Sequence, residues 1–286
     1  MDILWDQDCE PEWQARMAGL PYPALRQSWA FGTVMQGLGA SVRRAVICDA
    51  GIAVAAAQVL QRRRLRLIGQ GPVWLTTLEP GQKRQVLRQL ARFAGACIVT
   101  PHDPVVGFGI VPLITPKCSA IWNIDMLPAE LRQNLHGKWR NRLLRAEEGC
   151  KPVVLTRPKL QELVAYEAIQ RVGRGYKNLP GTIAMDWQGG KLAIGWQQGG
   201  ELHAGMVFLI HDGRATYFLG WANQTARASF AHGPLLWQAA LMLRARGVKA
   251  IDLGDVNSET GASLARFKLG TGAEVFAAGA TSLVLP

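Results

Sequence analysis

Twice along this chain, β-rich runs joined by tight turns lead into an amphipathic helix, a glycine and one more apolar strand. Hairpins followed by a helix and a further strand select an α+β unit with a mixed sheet. In the first copy, Val42 to Cys48 and Ile52 to Leu60 flank the turn Asp49-Ala50-Gly51, and a second turn falls at Arg62-Arg63-Arg64. The segment Leu65 to Leu75, broken by Gly69, Gly71 and Pro72, reads as another strand. From Gln82 to Ala94, the spacing of Val86, Leu87, Leu90, Phe93 and Ala94 predicts a helix, with Gly95 as its cap, feeding strand Ala96 to Thr100. In the second copy, strands near Lys191 to Trp196, Leu202 to Ile210 and Ala215 to Trp221 are separated by Gly199-Gly200 and Asp212-Gly213. Pro234 then opens a helix through Leu236, Ala240 and Leu243 to Gly247, followed by strand Val248 to Leu253. A short helix near Ala262 to Phe267 and a strand near Ser282 to Leu285 complete it. Aligning Gly95 with Gly247 sets Asp103 opposite Asp255, which is the register of an internal duplication.

Between the copies, Leu131, Leu135, Trp139 and Leu143 predict one helix from Pro128 to about Gly149. Leu160, Leu163, Val164, Ala168 and Val172 predict another, opened by Thr156 and Pro158 and closed at Gly173. We therefore expect two similar lobes, residues 1–150 and 151–286. The chain's 286 residues fit two domains of ~150 residues, and 49% hydrophobic content fills two cores.

The charge balance narrows the partner. Thirty-two Lys and Arg against 21 Asp and Glu leave +11, which favours an anionic ligand or surface over a cationic one. The five cysteines are odd in number and form no C-x-x-C pair, so they read as small core residues in a reducing cytoplasm. An acidic N-terminal stretch, Asp2 to Glu12, is unlike a secretory signal, and the apolar run Ala50 to Leu60 is too short to cross a bilayer. A soluble cytoplasmic protein is expected, with peripheral contact to a membrane surface left open. The histidines at 102, 136, 203, 211 and 232 show no ligand-like spacing, and no nucleophile elbow is present, so neither metal nor covalent chemistry is expected.

A set of short motifs, in order, spans nearly the whole chain. They are Gln27-Ser28-Trp29, Gly71-Pro72-Val73, Lys138-Trp139-Arg140-Asn141-Arg142 leading to Arg145 through Gly149, Gly233-Pro234-Leu235-Leu236-Trp237, Ile251-Asp252-Leu253-Gly254, and Phe267-Lys268-Leu269-Gly270-Thr271-Gly272. In these the chain resembles the FemAB-like peptidyl and aminoacyl transferases, which are tandem GNAT (acetyltransferase-type) domains. The chain departs from that family in being shorter than the peptidoglycan-bridge enzymes and in lacking a long coiled-coil insertion. The resemblance implies two tandem GNAT-like lobes, each a mixed, mostly antiparallel sheet flanked by helices. It further implies transfer of an aminoacyl or acyl group from an activated ester to a primary amine of an anionic acceptor, a small molecule or peptide-linked. The donor would be a cosubstrate, aminoacyl-tRNA or acyl-CoA, and no resident cofactor and no DNA partner are implied. Two alternatives stand beside it: a GNAT N-acyltransferase using acyl-CoA or an acyl carrier, and a non-catalytic module binding RNA or a membrane surface.

Several residues are candidates for the chemistry. Lys268, flanked by apolar residues and followed by Gly270 and Gly272, suggests an ammonium beside a backbone that a ligand can approach; its alternative is a snorkelling surface lysine. Asp103, at the end of a strand, could orient the incoming amine, though an Asp before a Pro is also an ordinary turn former. Asp252 and Asp255 flank the matching point in the second copy. Arg132, Lys138, Arg140, Arg142 and Arg145 form a basic band without an acidic residue, suited to phosphates or to plain solvation; Lys138, Arg140 and Arg142 are taken as the substrate-binding members. Tyr217 and Trp221 are placed on one face of a strand as further substrate contacts, with core packing as the alternative. Gln170 to Gly175 matches a pyrophosphate-loop pattern but stands at a helix end, where a capping glycine explains it better.

Overall fold

The computed structural model describes all residues except 21–23, 176–177, 258 and 260. In chain order the first elements are β1 (Asp2–Trp5), α1 (Glu10–Ala18), a 3₁₀ turn (Leu25–Gln27), α2 (Trp29–Gly37), β2 (Ser41–Asp49), β3 (Ile52–Arg62), β4 (Leu65–Gly69), β5 (Val73–Trp74), α3 (Pro80–Leu90), β6 (Ala96–Thr100) and β7 (Ile110–Ile114). Then come β8 (Cys118–Asn123), α4 (Pro128–Gln133), α5 (Gly137–Gly149), β9 (Pro152–Val154), α6 (Arg157–Arg174), α7 (Ile183–Asp186), β10 (Lys191–Gln198), β11 (Glu201–His211) and β12 (Arg214–Ala222). The last are α8 (Gln224–Ala228), α9 (His232–Ala245), β13 (Ala250–Asp255), α10 (Ala262–Leu269), β14 (Glu274–Ala277) and β15 (Thr281–Val284).

Two compact units result. Unit 1 comprises Met1–Ser119 with Phe276–Pro286, and unit 2 comprises Ala120–Val275. The division expected at residue 150 does not coincide with these units. Helix α5 buries Trp139 and Leu143 in the core of unit 2, so the chain changes unit before α4 and α5 rather than after them.

One topology occurs twice. In unit 1, β2, β3 and β4 form an antiparallel meander, α3 follows, and β6 returns parallel to β4. In unit 2, β10, β11 and β12 form the meander, α9 follows, and β13 returns parallel to β12. Among the described residues the sheet orders are β1-β2-β3-β4-β6-β15-β7, with β5 against β3, and β14-β8-β13-β12-β11-β10-β9. The next places correspond too: β15, from the chain's last residues, lies between β6 and β7, and β8 lies between β13 and β14. Each sheet is thus completed by a strand from the other end of the pattern.

The apolar runs of β2 and β3 are continuous because that sheet is covered on both faces. Ala45, Ile47, Ala55 and Ala57 pack with Val86, Leu87 and Leu90 of α3, while Val46 and Ala56 pack with Trp13 and Met17 of α1. In unit 2, Leu235, Leu236, Ala239 and Leu243 of α9 pack on Ile194, Met206 and Phe208.

Several boundaries differ from the sequence reading. Helix α3 ends at Leu90 and Gly95 is not its cap; a Cβ at Gly95 would lie 2.2 Å from the Arg64 carbonyl oxygen, so glycine is required by close backbone approach. The single helix expected from 128 to 149 is two, because residues 134–136 yield to the 270–272 turn: the His136 amide donates to the Gly270 carbonyl at 2.9 Å. Helix α6 is capped by Gly175, at φ +67°, instead of Gly173, and Val172 is 79% exposed while Glu167 is buried in its place.

Candidate active site in the second unit

Strands β12 and β13 pair only from Arg214–Thr216 to Ala250–Asp252, and beyond that both strands continue without a shared register among the described residues. The base of this divergence is polar and buried. Asp252 stands opposite Thr216, and its Oδ1 accepts the Gly254 amide at 2.7 Å. Thr216 Oγ1 meets His211 Nε2 at 2.9 Å, and His211 Nδ1 lies 3.3 Å from Asp212 Oδ2.

Helix α10 brings Lys268 to this point. The residue is only 5% exposed, and its Nζ donates to the Asp255 carbonyl at 2.7 Å. Gly254, at φ +79°, turns the strand beside the ammonium in a conformation that favours glycine. Burial pushes the Asp252 carboxyl up and the Lys268 ammonium down, and in each case the opposite charge of the other opposes the shift. Lys268 is therefore not a snorkelling surface lysine.

An aromatic cluster adjoins it. Trp139, Phe230 and Phe267 have ring centroids 5.6 to 5.9 Å apart, and the Trp139 indole donates to the Phe267 carbonyl at 3.0 Å. His232 packs on Phe267, places Nε2 3.2 Å from the Trp221 carbonyl, and is held below the ordinary histidine pKa by burial. Gly270 lets this happen, since a Cβ would lie 2.5 Å from the Trp139 ring.

Beside the cluster runs a groove of about 460 Å³, with Cys150, Trp196 and Phe230 among its lining and Arg142, Arg145 and Ser229 also facing it. The Arg142 guanidinium sits 4.2 Å from the Phe230 ring centre. Of the basic band, the structure brings Arg142 and Arg145 together here. Two residues apart on a helix means opposite sides, and Arg140 instead donates to the Gln133 carbonyl at 3.3 Å. Lys138 is exposed and does not line the groove. Arg132 forms a two-pronged ion pair with Glu147, at 3.0 and 2.6 Å.

Tyr217 and Trp221 do not share a face. The register of β11 against β12 shifts between Val207 and Phe208, so an extra residue, Phe218, lies between the two aromatics and flips the alternation. Tyr217 packs on Phe208 in the core, and Trp221 stacks on Tyr166 of α6 at 4.4 Å.

Asp103 belongs to unit 1, where one carboxylate oxygen accepts the Trp74 indole N–H and the other pairs with Lys83. It fastens α3 to β5. The first motifs also meet in unit 1: Gln27 Oε1 accepts the Gln58 amide at 2.6 Å and its Nε2 donates to the Gly69 carbonyl at 2.7 Å. A Cβ at Gly71 would strike the Gln27 amide at 2.5 Å. The Arg44 guanidinium lies 3.4 Å from the Trp29 ring centre, with its pKa lowered by burial to about 10.

Neither helix that follows a meander offers a phosphate cradle of successive amides. At α9 the Ala231 and Gly233 amides donate to the Ala226 and Phe230 carbonyls, and Pro234 has none. At α3 the first residues are Glu79, a carboxylate, and Pro80. The Gln170 to Gly175 segment is a helix end whose last turn carries Arg171 and Arg174.

Sequence reasoning did not select His232, Phe230 or His211. A signal for the buried site was present in Ala250-Ile251-Asp252-Leu253, where one acid interrupts an otherwise apolar strand.

Comparison with known proteins agrees with this architecture. No family model and no curated protein sequence matches the chain. Among solved structures, FemX superposes with a TM-score of 0.75 at 13% identity, covering 96% of this chain and 95% of that one. The C-terminal domain of a putative lysylphosphatidylglycerol synthetase from Agrobacterium fabrum gives 0.53 at 12% identity, covering 96% and 92%. A tandem GNAT protein from the clavulanic acid biosynthesis pathway gives 0.53 at 11% identity, covering 99% and 97%. The fold is the tandem GNAT architecture, and it superposes on FemX over nearly the whole of both chains.

Proposed function

We propose that this chain is a FemAB-like transferase that moves an aminoacyl or acyl group from an activated ester to a primary amine of an anionic acceptor. The observation that carries this reading is the overlap with FemX across nearly the full length of both chains. In the reaction the amine nitrogen attacks the ester carbonyl, the C–O bond breaks, and the proton lost by the amine goes to the departing oxygen. Lys268 would supply a positive charge to the developing oxyanion or to a neighbouring phosphate, since its carbonyl bond to Asp255 uses one of three donors. Arg142 and Arg145 would hold the anionic part of a substrate against the aromatic floor of the groove. Asp103, with both oxygens engaged, is not part of this reading.

The donor is best read as an aminoacyl-tRNA ester rather than acyl-CoA, because the amides that would cradle a pyrophosphate at α9 are bonded within the fold. A reaction on cytoplasmic peptidoglycan precursors fits an anionic, amine-bearing acceptor. The test offers the protein a set of charged tRNAs and a set of acyl-CoAs with an amine-bearing phosphorylated acceptor. Amide product from charged tRNA alone is expected; product from acyl-CoA alone selects the N-acyltransferase, and salt-dependent binding without turnover selects a non-catalytic module.

A further inference from the structure

Unit 1 carries a set of exposed apolar side chains on one loop and strand. Val106 and Phe108, in the loop between β6 and β7, are 73% and 83% exposed. Val111, Leu113 and Ile114 of β7 and Leu285 are exposed beside them. Single exposed apolar residues are ordinary, but six close together in sequence and sheet order form a patch. The loop is also shaped to present them. Gly107 and Gly109 adopt φ +127° and +84°, so Val106 and Phe108 project from a backbone that only glycine accommodates readily.

The surroundings are cationic. From Pro80 to Arg92 and from Pro104 to Lys117 there are five Lys and Arg and no Asp or Glu, and residues 276–286 carry no charged side chain. Lys83 is committed to Asp103 and Arg88 also donates to the Pro286 oxygen at 2.8 Å; Arg84, Arg88, Arg92 and Lys117 pair with no side-chain carboxylate among the described residues. Arg84, Arg88 and Arg92 recur every four residues along α3 and its end, on one side. Two of them touch the loop: the Arg84 guanidinium lies 3.5 Å from the Val106 carbonyl, and that of Arg88 lies 5.7 Å from the Phe108 ring centre. Apolar tips flanked by Arg84 and Arg88 match the two layers of an anionic bilayer surface, apolar chains beneath phosphates. A second copy pairing along the β7 edge fits less well, since Pro112 in that strand has no N–H to donate.

We propose that this face docks unit 1 on an anionic membrane surface, Val106 and Phe108 entering among the headgroups while Arg84, Arg88, Arg92 and Lys117 meet the phosphates. The attachment is peripheral; no helix among the described residues is long and apolar enough to cross a membrane. It is independent of the transferase reading, because the groove and Lys268 are in unit 2.

The experiment is co-sedimentation of the full chain with vesicles of phosphatidylcholine alone or with about a quarter phosphatidylglycerol. Binding is expected only to the second kind, and millimolar inorganic phosphate should not release it. Val106→Ser with Phe108→Ser should weaken binding by at least roughly tenfold, and Arg92→Glu with Lys117→Glu by a similar factor. All four side chains are exposed, so both variants should keep the wild-type melting temperature. Failure to bind anionic vesicles overturns the proposal. So does binding that ignores the Val106 and Phe108 changes, release by free phosphate, or a Phe108-dependent dimer in solution without vesicle binding.

Discussion

A lysine ammonium held almost out of solvent, bonded to a carbonyl three strand positions from a buried carboxylate, is costly to keep charged. Asp252 offsets that cost, which makes the pair separable by titration. Because burial raises the folded-state pKa of Asp252, the stability linked to its proton is complete below the ordinary value of 3.8 and is lost as pH rises through the raised value. Asp252→Asn has no such loss, so the melting-temperature difference, variant minus wild type, should grow as pH rises from 3.8. A flat difference between pH 3.8 and neutrality would show that folding leaves the carboxyl's pKa unshifted. Lys268 runs the other way: its lowered pKa penalises the fold at low pH, and the penalty is relieved as pH climbs from that value towards 10.5. Lys268→Met, which keeps the apolar stem, should reduce kcat/KM by ~100-fold, with Lys268→Arg recovering part of it. Unlike an exposed lysine, it should also shift the melting temperature. Among the arginines, Arg142→Ala should weaken binding of a phosphorylated substrate several-fold and reduce its salt dependence by about one phosphate contact. Arg140→Ala, off the groove, should do neither; equal effects from both would place the ligand elsewhere on α5.

At the scale of elements, glycine requirements separate backbone packing from turn chemistry. Gly95→Ala places a methyl against the Arg64 carbonyl where β6 leaves α3, and should cost about 1–3 kcal/mol in urea unfolding. Gly137→Ala, in the first turn of α5 with open space around it, should be neutral or stabilise by up to ~1 kcal/mol. The two meanders and the helices after them were legible because turn signals and apolar periodicity are local. Of the strands outside the meanders, the one near Ser282 to Leu285 was legible, whereas β7 and β8 were not. Ile110–Ile114 contains Pro112, which argues against a strand, yet it lies at a sheet edge where proline is tolerated. Tyr217 and Trp221 were misplaced because a bulge leaves no mark in the alternation of Ala215 to Trp221. Lys268 was chosen from its motif, but its burial depends on Asp255, Gly254 and Asp252, which approach it only through the packing of α10 on β13. Asp103 looked like a free strand-end carboxylate until Trp74 and Lys83, 29 and 20 residues earlier, folded onto it.

For the molecule as a whole, the decisive feature is the place of β15. Val99 pairs with Ser282 and Ile110 with Val284, so the gap between β6 and β7, neighbours in sequence, is filled by a strand from about 170 residues further on. Deleting residues 280–286 should leave β6 and β7 without their shared partner, and limited proteolysis should then cut first within residues 101–117. Cleavage elsewhere first would mean that β15 is dispensable. The same feature sets an order of events during synthesis. Unit 1 is made first but cannot close its sheet until residues 281–284 leave the ribosome, whereas unit 2, whose borrowed strand β8 is already behind it, has its complete sheet by residue 277. At about 5–20 residues per second, the half of the protein that emerges earliest waits roughly 8 to 34 seconds with an unpaired pair of strand edges. The unit begun second is the first that can finish.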